Sequence, residues 1–332
     1  MKIKMHRYIL LTIEEKFIIN ILFKNKIINN DVFEQLNYDK VVKIASSHLM
    51  LPALYFKLKK RNYLKKIPNE LVNYLKCIYE INKERNLILC EEMYELSKIL
   101  KSKNIKYLFI KGSAHIKNKI YEDIGVRMIG DIDILMKKSD AKRIYKLLKV
   151  KGYKNNKPET FYWKKKHKPK LINKDKIFPI EIHSEVLLYR FRKLLTGNEI
   201  LNSNILKIKE KSLKLSILNF QINDYGFLKG LYSFRTIYDY QILSNYNKLT
   251  LNNYIKKFFL ITNDLGITSH DIKMGFFDKL FMNRLKFKKR YFLFYKIDNF
   301  ICLIIKLIPI RFLQVIEFLF NREYREYIVK KI

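Results

Sequence analysis

The chain is poor in the two residues that most often interrupt regular secondary structure. It contains only nine glycines and six prolines in 332 residues, whereas 48% of its residues are hydrophobic. Such a scarcity of turn-forming residues argues against a turn-rich β architecture and favours long helices. The hydrophobic fraction excludes a chain that is disordered by composition. At this length the chain can bury a sizeable core, divided between two or three modules.

Cysteine is equally scarce. Cys77, Cys90 and Cys302 are odd in number and lie far apart, so they match neither a disulfide framework nor the ligand spacing of a metal site. We therefore expect reduced thiols and a cytoplasmic location for the protein.

Acidic residues are too few to balance the basic ones. The chain has 67 Lys and Arg residues against 31 Asp and Glu, which gives a formal net charge of +36. One interpretation is a protein that binds nucleic acid through its phosphates. The other is AT-rich coding, which produces the dominance of Lys, Ile and Asn seen here and leaves Arg, the better phosphate fork, in the minority. Under both interpretations the charge attracts polyanions non-specifically.

Long uncharged apolar runs are also missing. The most apolar segment, Tyr291 to Phe320, is interrupted by five charged residues and by Pro309. No uncharged run reaches the ~20 residues that a membrane-spanning helix needs. We therefore expect buried helices and no membrane span here, with interfacial contact with a membrane as the alternative.

The order of predicted elements indicates an α+β protein, in which a small mixed β-sheet core (105–190) is flanked by N-terminal (1–104) and C-terminal (191–332) helical regions. In the N-terminal region, Pro52 is expected to split one helical stretch and Pro68 to begin a long helix that ends near Lys103. In the C-terminal region, Asn223 to Ser244 is the clearest helical stretch.

The core is predicted to alternate between strands and helices. Ser139 is expected to cap a helix that Gly152 ends. Lys170 to Ile172 is expected to be a short edge strand. The other predicted elements are strands at Ile105–Ile110, Met128–Met136, Thr160–Lys165 and Phe178–Val186, and a helix from Ser113 to about Tyr121.

Two aspartates open the second predicted strand. Residues two apart in a strand point to the same face, so Asp131 and Asp133 should project together while Ile132 and Ile134 take the opposite, buried face. Strands disfavour Asp, and both flanks are apolar, which argues against an ordinary exposed pair. Two carboxylates on one face need a cation between them, and Mg²⁺, which prefers oxygen ligands, is the obvious candidate.

Gly112 and Ser113 follow the first predicted strand, where the chain turns into a helix. Glycine lets the backbone approach a phosphate closely, and a serine hydroxyl and helix N–H groups can donate hydrogen bonds to it. Alone this pair is a weak signal, because many strand-to-helix turns have such residues. Beside Asp131 and Asp133 on the next strand it becomes considerably stronger.

Glu181 and His183 alternate with Ile180 and Ile182 on a later predicted strand. Glu181 could complete a two-metal site and deprotonate an incoming hydroxyl, or it could be an exposed strand residue. His183 could contact substrate or phosphate, or form a structural hydrogen bond.

Three further basic residues have two interpretations each. Lys111 and Arg127 are candidate phosphate ligands, and each could equally be a solvated charge. Arg235 lies four residues before Asp239 on a predicted helix, as in a surface ion pair or in a helix that lines a nucleotide cleft.

These residues carry a resemblance to known proteins. A Gly-Ser turn (112–113), then Gly-Asp-Ile-Asp (130–133), then Glu-Ile-His (181–183) resembles the nucleotidyltransferase superfamily typified by DNA polymerase beta. The finer pattern, which includes Tyr121, Arg127, Gly152-Tyr153 and the Arg-containing helix at 234–239, is similar to a largely uncharacterised bacterial group, the nucleotidyltransferase family (type 5).

The resemblance implies a nucleotidyltransferase core and a set of roles. Gly112 and Ser113 would hold the β- and γ-phosphates of a nucleoside triphosphate, ATP being the first expectation. Asp131 and Asp133 would bind two Mg²⁺ ions, or Mn²⁺, and Glu181 would complete the second metal site and act as base. Lys111, Arg127 and His183 would assist in nucleotide binding.

The implied reaction transfers a nucleoside monophosphate from the triphosphate to an acceptor hydroxyl and releases pyrophosphate. The acceptor could be RNA such as tRNA, a small molecule or a protein. The alternative is a non-catalytic protein on the same scaffold that binds nucleic acid or a membrane surface through its basic residues.

Overall fold

The computed structural model of the chain describes residues 9–24, 26–155, 166–244 and 249–330. The chain divides into two compact units, each assembled from segments that are separated in sequence. The first unit comprises Met1–Arg85, Tyr121–Met128 and Ser216–Asn299, and the second comprises Asn86–Ile120, Ile129–Leu215 and Phe300–Ile332. The division into regions 1–104, 105–190 and 191–332 stays a prediction.

Helices dominate the described residues, and a small sheet accompanies them, so the α+β prediction is confirmed. The α-helices are α1 (Ile13–Phe23), α2 (Asn30–Glu34), α3 (Tyr38–Ser47), α4 (Leu51–Lys60), α5 (Asn69–Ser102), α6 (Lys111–Lys117), α7 (Lys138–Val150), α8 (Gly197–Leu201), α9 (Ile205–Leu218), α10 (Gly226–Lys229), α11 (Phe234–Leu243), α12 (Asn253–Asp264), α13 (Phe276–Arg290), α14 (Phe292–Phe320) and α15 (Arg322–Val329). The strands are β1 (Tyr107–Phe109), β2 (Ile132–Met136), β3 (Lys154–Asn155), β4 (Leu171–Ile172) and β5 (Ile180–His183).

The first unit begins with helices whose ends follow from local chemistry. Thr12 and Glu15 form a capping box that starts α1, with the hydroxyl of Thr12 accepting from the backbone N–H of Glu15. Pro52 lies in the first turn of α4, where its missing N–H costs nothing, so the predicted split at this proline is confirmed. Pro68 directly precedes the long helix α5, also as predicted.

The predicted helix from Asn223 to Ser244 is wrong in its first half. A π-helical turn ends at Asn223, and Tyr225 and Gly230 both adopt left-handed backbone conformations on either side of the single turn α10. A left-handed residue ends a helix, and glycine does so without a steric penalty. The continuous helix therefore starts only at α11, where the side chain of Ser233 accepts from the N–H of Thr236.

The sheet of the second unit has the strand order β1-β2-β5-β4-β3. Strands β2 and β5 are parallel neighbours, whereas the other three pairings are antiparallel. In the β2–β5 register Asp133 lies beside Glu181 and Leu135 beside His183. The strand β2 is buried along its whole length, which explains its nearly continuous apolar sequence.

Three details of the predicted core are corrected or left untested. The backbone of β3 lies beyond β4, so β4 is not the edge strand that was expected. Ser139 lies inside α7, and Lys137 is its N-cap residue, whereas Gly152 follows the helix with a positive φ, as predicted. The predicted strand at Thr160–Lys165 lies outside the described residues.

The apolar segment near the C-terminus differs from its prediction. It forms one helix, α14, which continues through Pro309 and exposes most of its apolar side chains, so the expectation of buried helices is wrong. Among the described residues, α14 is the one helix that is long and apolar enough to cross a membrane, judged by length and composition alone. Composition did not reveal this exposure, because buried and exposed apolar helices can share one sequence pattern.

Candidate active site

Three acidic residues meet where β2 and β5 begin. Asp133 and Glu181 are Cα partners on these parallel strands, and Asp131 immediately precedes β2. His183 follows Glu181 by two positions, so both side chains belong to the same face of β5. Ligand atoms of Asp133, Glu181 and His183 all lie within 4.8 Å of one another. The structure thus brings together the acids that the sequence predicted.

Lys111 lies between two of the acids. Its Nζ is 2.6 Å from Oδ1 of Asp133 and 3.8 Å from Oε2 of Glu181. Its backbone adopts a left-handed conformation with φ of +55°, which is uncommon for a residue other than glycine. Strained conformations of this kind persist where the surrounding structure over-determines them, and they cluster at functional sites.

Lys170 lies between the other pair of acids and was missed by the sequence analysis. Its Nζ is 2.7 Å from Oδ2 of Asp131 and 3.4 Å from Oε1 of Glu181. The antiparallel register pairs Leu171 with Ile180, so Lys170, one residue earlier, comes beside Glu181, one residue later. This cross-strand position could have identified Lys170, but only once the pairing of the short strand β4 was known.

Each ammonium group is therefore shared by two carboxylates, and Glu181 is shared by both ammonium groups. The two lysines lie between the acids because three carboxylates in one partly buried cluster repel one another unless cations separate them. The side chain of Glu181 is 9% exposed and that of Asp133 is 11% exposed, which makes this compensation essential.

The pKa values of the acids reflect this arrangement. Burial raises the pKa of Asp131, and the hydrogen bond from Lys170 offsets only part of that increase. Burial also acts to raise the pKa of Asp133, but Lys111 and the hydrogen bond from His183 outweigh it and lower the pKa. For Glu181, burial is again outweighed, by His183, His167 and Lys111, and the pKa lies well below its usual range. Asp133 and Glu181 are thus held as carboxylates.

His183 is fully buried and binds the acids. Its Nε2–H donates to Oδ1 of Asp133 at 2.7 Å, and Nε2 lies 3.3 Å from Oε2 of Glu181. The structural hydrogen bond, one of its two predicted roles, is therefore present. Direct contact of His183 with a nucleotide stays a prediction.

Gly112 and Ser113 lie in the first turn of α6, which follows β1. The Ser113 hydroxyl donates to the carbonyl of Asp131 at 3.0 Å and accepts from the N–H of Asp133 at 3.1 Å. This hydroxyl ties the turn to the start of β2 on both sides of Ile132. A Cβ on Gly112 would come within 2.4 Å of Ile129 Cδ1, so the turn packs closely here. Contact of either residue with phosphate stays a prediction.

Arg127 belongs to the first unit, whereas the acids belong to the second. Its guanidinium forms a fork with the buried carboxylate of Asp239, from Nε to Oδ1 and from Nη2 to Oδ2, both at 2.9 Å. The hydroxyl of Tyr121 donates to the same carboxylate at 2.7 Å. Asp239 is therefore a buried acid bound by Arg127, not half of a surface pair with Arg235. The role of Arg127 in nucleotide binding stays a prediction.

The residues of the acidic cluster fit a divalent cation. The carboxylates of Asp133 and Glu181 and the imidazole of His183 supply the oxygen and nitrogen donors that such ions use, and carboxylates suit Mg²⁺ and Mn²⁺ in particular. Asp131 is linked to this group through Lys170. The cluster already accommodates two positive charges in the form of the Lys111 and Lys170 ammonium groups. The kind of ion and the number of ions stay predictions.

A small mixed sheet with an acidic, cation-accepting cluster at the start of two parallel strands defines an α+β protein with a candidate divalent-metal site. The chain belongs to the family of uncharacterised nucleotidyltransferases, whose family model matches residues 34–255, about two thirds of the chain. The predicted family is therefore confirmed, and its name supports nucleotidyltransferase activity in general terms. The bacterial origin and the specific reaction stay predictions. No curated protein and no solved structure matches the chain.

Proposed function

We propose that this nucleotidyltransferase moves a nucleoside monophosphate from a nucleoside triphosphate to an acceptor hydroxyl. The acceptor oxygen forms a bond to the α-phosphorus, the bond from that phosphorus to the bridging oxygen breaks, and pyrophosphate leaves. The observation that carries the proposal is the cluster of Asp131, Asp133 and Glu181, in which two positive charges are each shared by two carboxylates.

The acids would hold the metal, and their surroundings suit that task. Divalent cations bound there, Mg²⁺ or Mn²⁺, would stabilise charge on the attacking and leaving oxygens of the displacement. The lowered pKa of Glu181 favours its role as a ligand over its role as base, since a general base works best with a pKa near the operating pH. The acceptor proton would then pass to solvent or to another group.

The basic residues of the cluster would position the triphosphate. Lys111 and Lys170 carry compact positive charges beside the acids, and charge-assisted hydrogen bonds from such groups to phosphate oxygens are strong. Ser113 would act indirectly, because its hydroxyl holds the turn against β2 and so fixes the acids relative to Gly112. Positioning of this kind supplies much of the rate in reactions that ask little covalent chemistry of the protein.

The test follows the label from each part of the triphosphate. The protein is incubated with Mg²⁺, total cell extract and each nucleoside triphosphate in turn, ATP first, labelled either at the α- or at the γ-phosphate. We expect the α-label alone to appear in one fraction, which identifies the acceptor as RNA, small molecule or protein. Transfer of the γ-label instead would contradict the proposal, because it indicates transfer of a phosphoryl group.

A pair of isosteric variants provides the control. Asp131→Asn should abolish transfer of the α-label, whereas Asp175→Asn, in the exposed loop between β4 and β5, should retain it. Thermal unfolding of both variants checks that the fold is intact. Equal transfer by Asp131→Asn and the parent protein would refute the site assignment. RNA binding without transfer of label from any nucleotide would instead favour a basic, non-catalytic protein.

A further inference from the structure

The helix α14 exposes an unusually large apolar surface. It has 29 residues and so extends for about 43 Å at 1.5 Å per residue. Only 6% of its most apolar 18-residue window is buried. Large apolar residues such as Phe300, Ile308, Phe312 and Leu319 are exposed along its length. Contiguous apolar surfaces of this size mark sites where a protein meets another apolar phase or partner.

The exposed apolar surface extends much farther around the helix than a packing stripe does. Successive residues of a helix are about 100° apart around its axis. Phe300 and Phe318 lie at one edge of the exposed apolar arc and Phe320 at the other, so the arc covers about 200°. The stripe by which a helix packs in a globular protein is typically about 100° wide or somewhat more. A groove in a partner protein, or one face of a second copy, would leave much of this arc in water.

The polar residues of the same segment lie together on the remaining side. Lys306, Gln314 and Glu317 fall within an arc of about 80°, and the side chain of Glu317 is buried. Two charged residues interrupt the apolar arc, Arg311 and, nearer the start of the helix, Asp298. Asp298 is paired with Arg284 and Lys288, and a long arginine side chain can place its charge at the edge of an apolar layer. A helix with opposed apolar and polar arcs can lie in a membrane interface with its apolar arc in the acyl layer.

We propose that α14 is a membrane-docking helix that lies in the plane of the interface between headgroups and acyl chains of an anionic lipid bilayer. Its basic surroundings complement such lipids. Lys306, Arg311, Arg322, Arg325 and Lys330 lie in or just after α14 and outnumber the acids Glu317, Glu323 and Glu326 there, and the whole chain carries a net charge of +36. Each basic residue near an anionic membrane surface adds to the attraction.

The charged residues within α14 favour a helix that lies along the membrane over one that crosses it. Lys306, Arg311 and Glu317 divide the helix, and a charged residue at the centre of a bilayer is disfavoured even on the most permissive insertion scale. In the interface these side chains reach water, whereas the apolar arc enters the acyl layer. This inference does not depend on the proposed nucleotidyl transfer, because it concerns where the protein acts and not what it does.

The test is flotation of the full chain with vesicles of phosphatidylcholine, prepared with and without phosphatidylglycerol. We expect binding to the anionic vesicles to exceed binding to the neutral ones by about tenfold or more, and to weaken with added salt. Failure of the parent protein to float with either kind of vesicle would overturn the proposal.

A triple variant tests whether the apolar arc is responsible. The variant combines Ile301→Asp, Ile308→Asp and Leu319→Asp. These substitutions place charges in the centre of the apolar arc, so the variant should no longer float with the vesicles. The matched control is Ile27→Asp, Tyr94→Asp and Val150→Asp combined, which adds the same charge at exposed apolar residues elsewhere and should float as the parent does. Circular dichroism verifies that both variants are folded, as expected for exposed positions.

Two further outcomes would each overturn the proposal. If the parent protein forms a lipid-free oligomer that the Ile301, Ile308 and Leu319 variant dissolves, and neither protein floats, then a second copy covers α14. If membrane-bound protein resists extraction with alkaline carbonate, then the helix spans the bilayer. Release by carbonate together with loss of flotation in the variant is the result expected of an interfacial helix.

Discussion

The buried ion pair between Arg127 and Asp239 offers the sharpest test of how the first unit is held together. Asp239 is 2% exposed and accepts two hydrogen bonds from Arg127 and one from Tyr121. The substitution Asp239→Asn keeps the size of the side chain but removes its charge. It removes the carboxylate charge that the buried guanidinium binds, and breaking a buried ion pair in this way costs about 3–5 kcal/mol.

Thermal unfolding measures this cost. For a folding unit of this size, each kcal/mol lowers Tm by about 2–4 °C, so Asp239→Asn should lower Tm by about 10 °C. The control is Glu122→Gln in the same segment of chain, where the carboxylate is half exposed and pairs with Lys57 and Lys60. Pairs at that exposure contribute about 0–1 kcal/mol, so this variant should unfold within about 4 °C of the parent protein.

The same measurement separates the two roles of Arg127. A structural Arg127 predicts that Arg127→Met destabilises the fold about as much as Asp239→Asn does, and that replacing both residues with apolar ones recovers part of the loss. The reasoning is refuted if Arg127→Met leaves Tm unchanged relative to Glu122→Gln and instead weakens nucleotide binding. In that case the ion pair with Asp239 contributes little to stability, and the role of Arg127 is to bind the nucleotide.

Three other predictions concern single side chains. Burial lowers the pKa of His48 to about 4 from an unfolded value of about 6.5, so the unfolded state binds more protons between these pH values. The free energy of unfolding should therefore fall by about 3 kcal/mol as pH decreases from about 6.5 to 4. In His48→Asn, whose side chain can still accept from the N–H of Phe234, urea unfolding should show a smaller dependence of stability on pH. Ser113→Ala leaves the N–H of Asp133 without the hydroxyl that it donates to, and urea unfolding should show a loss of about 1–3 kcal/mol in stability. An unchanged stability would contradict this prediction. Lys170→Met removes a cation from between two carboxylates and should strengthen Mn²⁺ binding in calorimetry at low salt, whereas Lys174→Met, at an exposed position of the next loop, should not.

The acids of the site were predictable from the sequence because their signal is local. Asp131 and Asp133 interrupt an apolar strand at its start, and Glu181 alternates with isoleucines on another. The period of two along a strand gives the face of each side chain directly. The parallel pairing of β2 and β5, which places Asp133 beside Glu181, was not predicted, because the pattern of residues along each strand does not specify its neighbour.

The partners of the acids were not predictable, because they depend on long-range pairing. Lys170 reaches Asp131 across 39 residues, through a strand too short to have a recognisable period. Arg127 and Asp239 are 112 residues apart, and Arg235 was the nearer candidate for Asp239 along the chain. The break before α11 was missed for a different reason. It involves a left-handed Tyr225, a residue that gives no turn signal, and a left-handed Gly230, a single glycine of the kind that a helical pattern can tolerate.

Lysine and arginine serve the two buried acid groups in different ways, which changes how the lysine-rich composition is interpreted. The guanidinium of Arg127 is a planar fork that fixes both oxygens of one carboxylate. The ammonium groups of Lys111 and Lys170 are compact point charges, and each lies between two carboxylates, the position that a hard divalent cation also requires. Coding bias alone explains a lysine on the surface, but at these two positions the choice of lysine has a chemical consequence. An arginine there would preserve the charge and yet bind the carboxylates as fixed pairs, so Lys111→Arg should weaken Mn²⁺ binding even though the net charge of the site is unchanged.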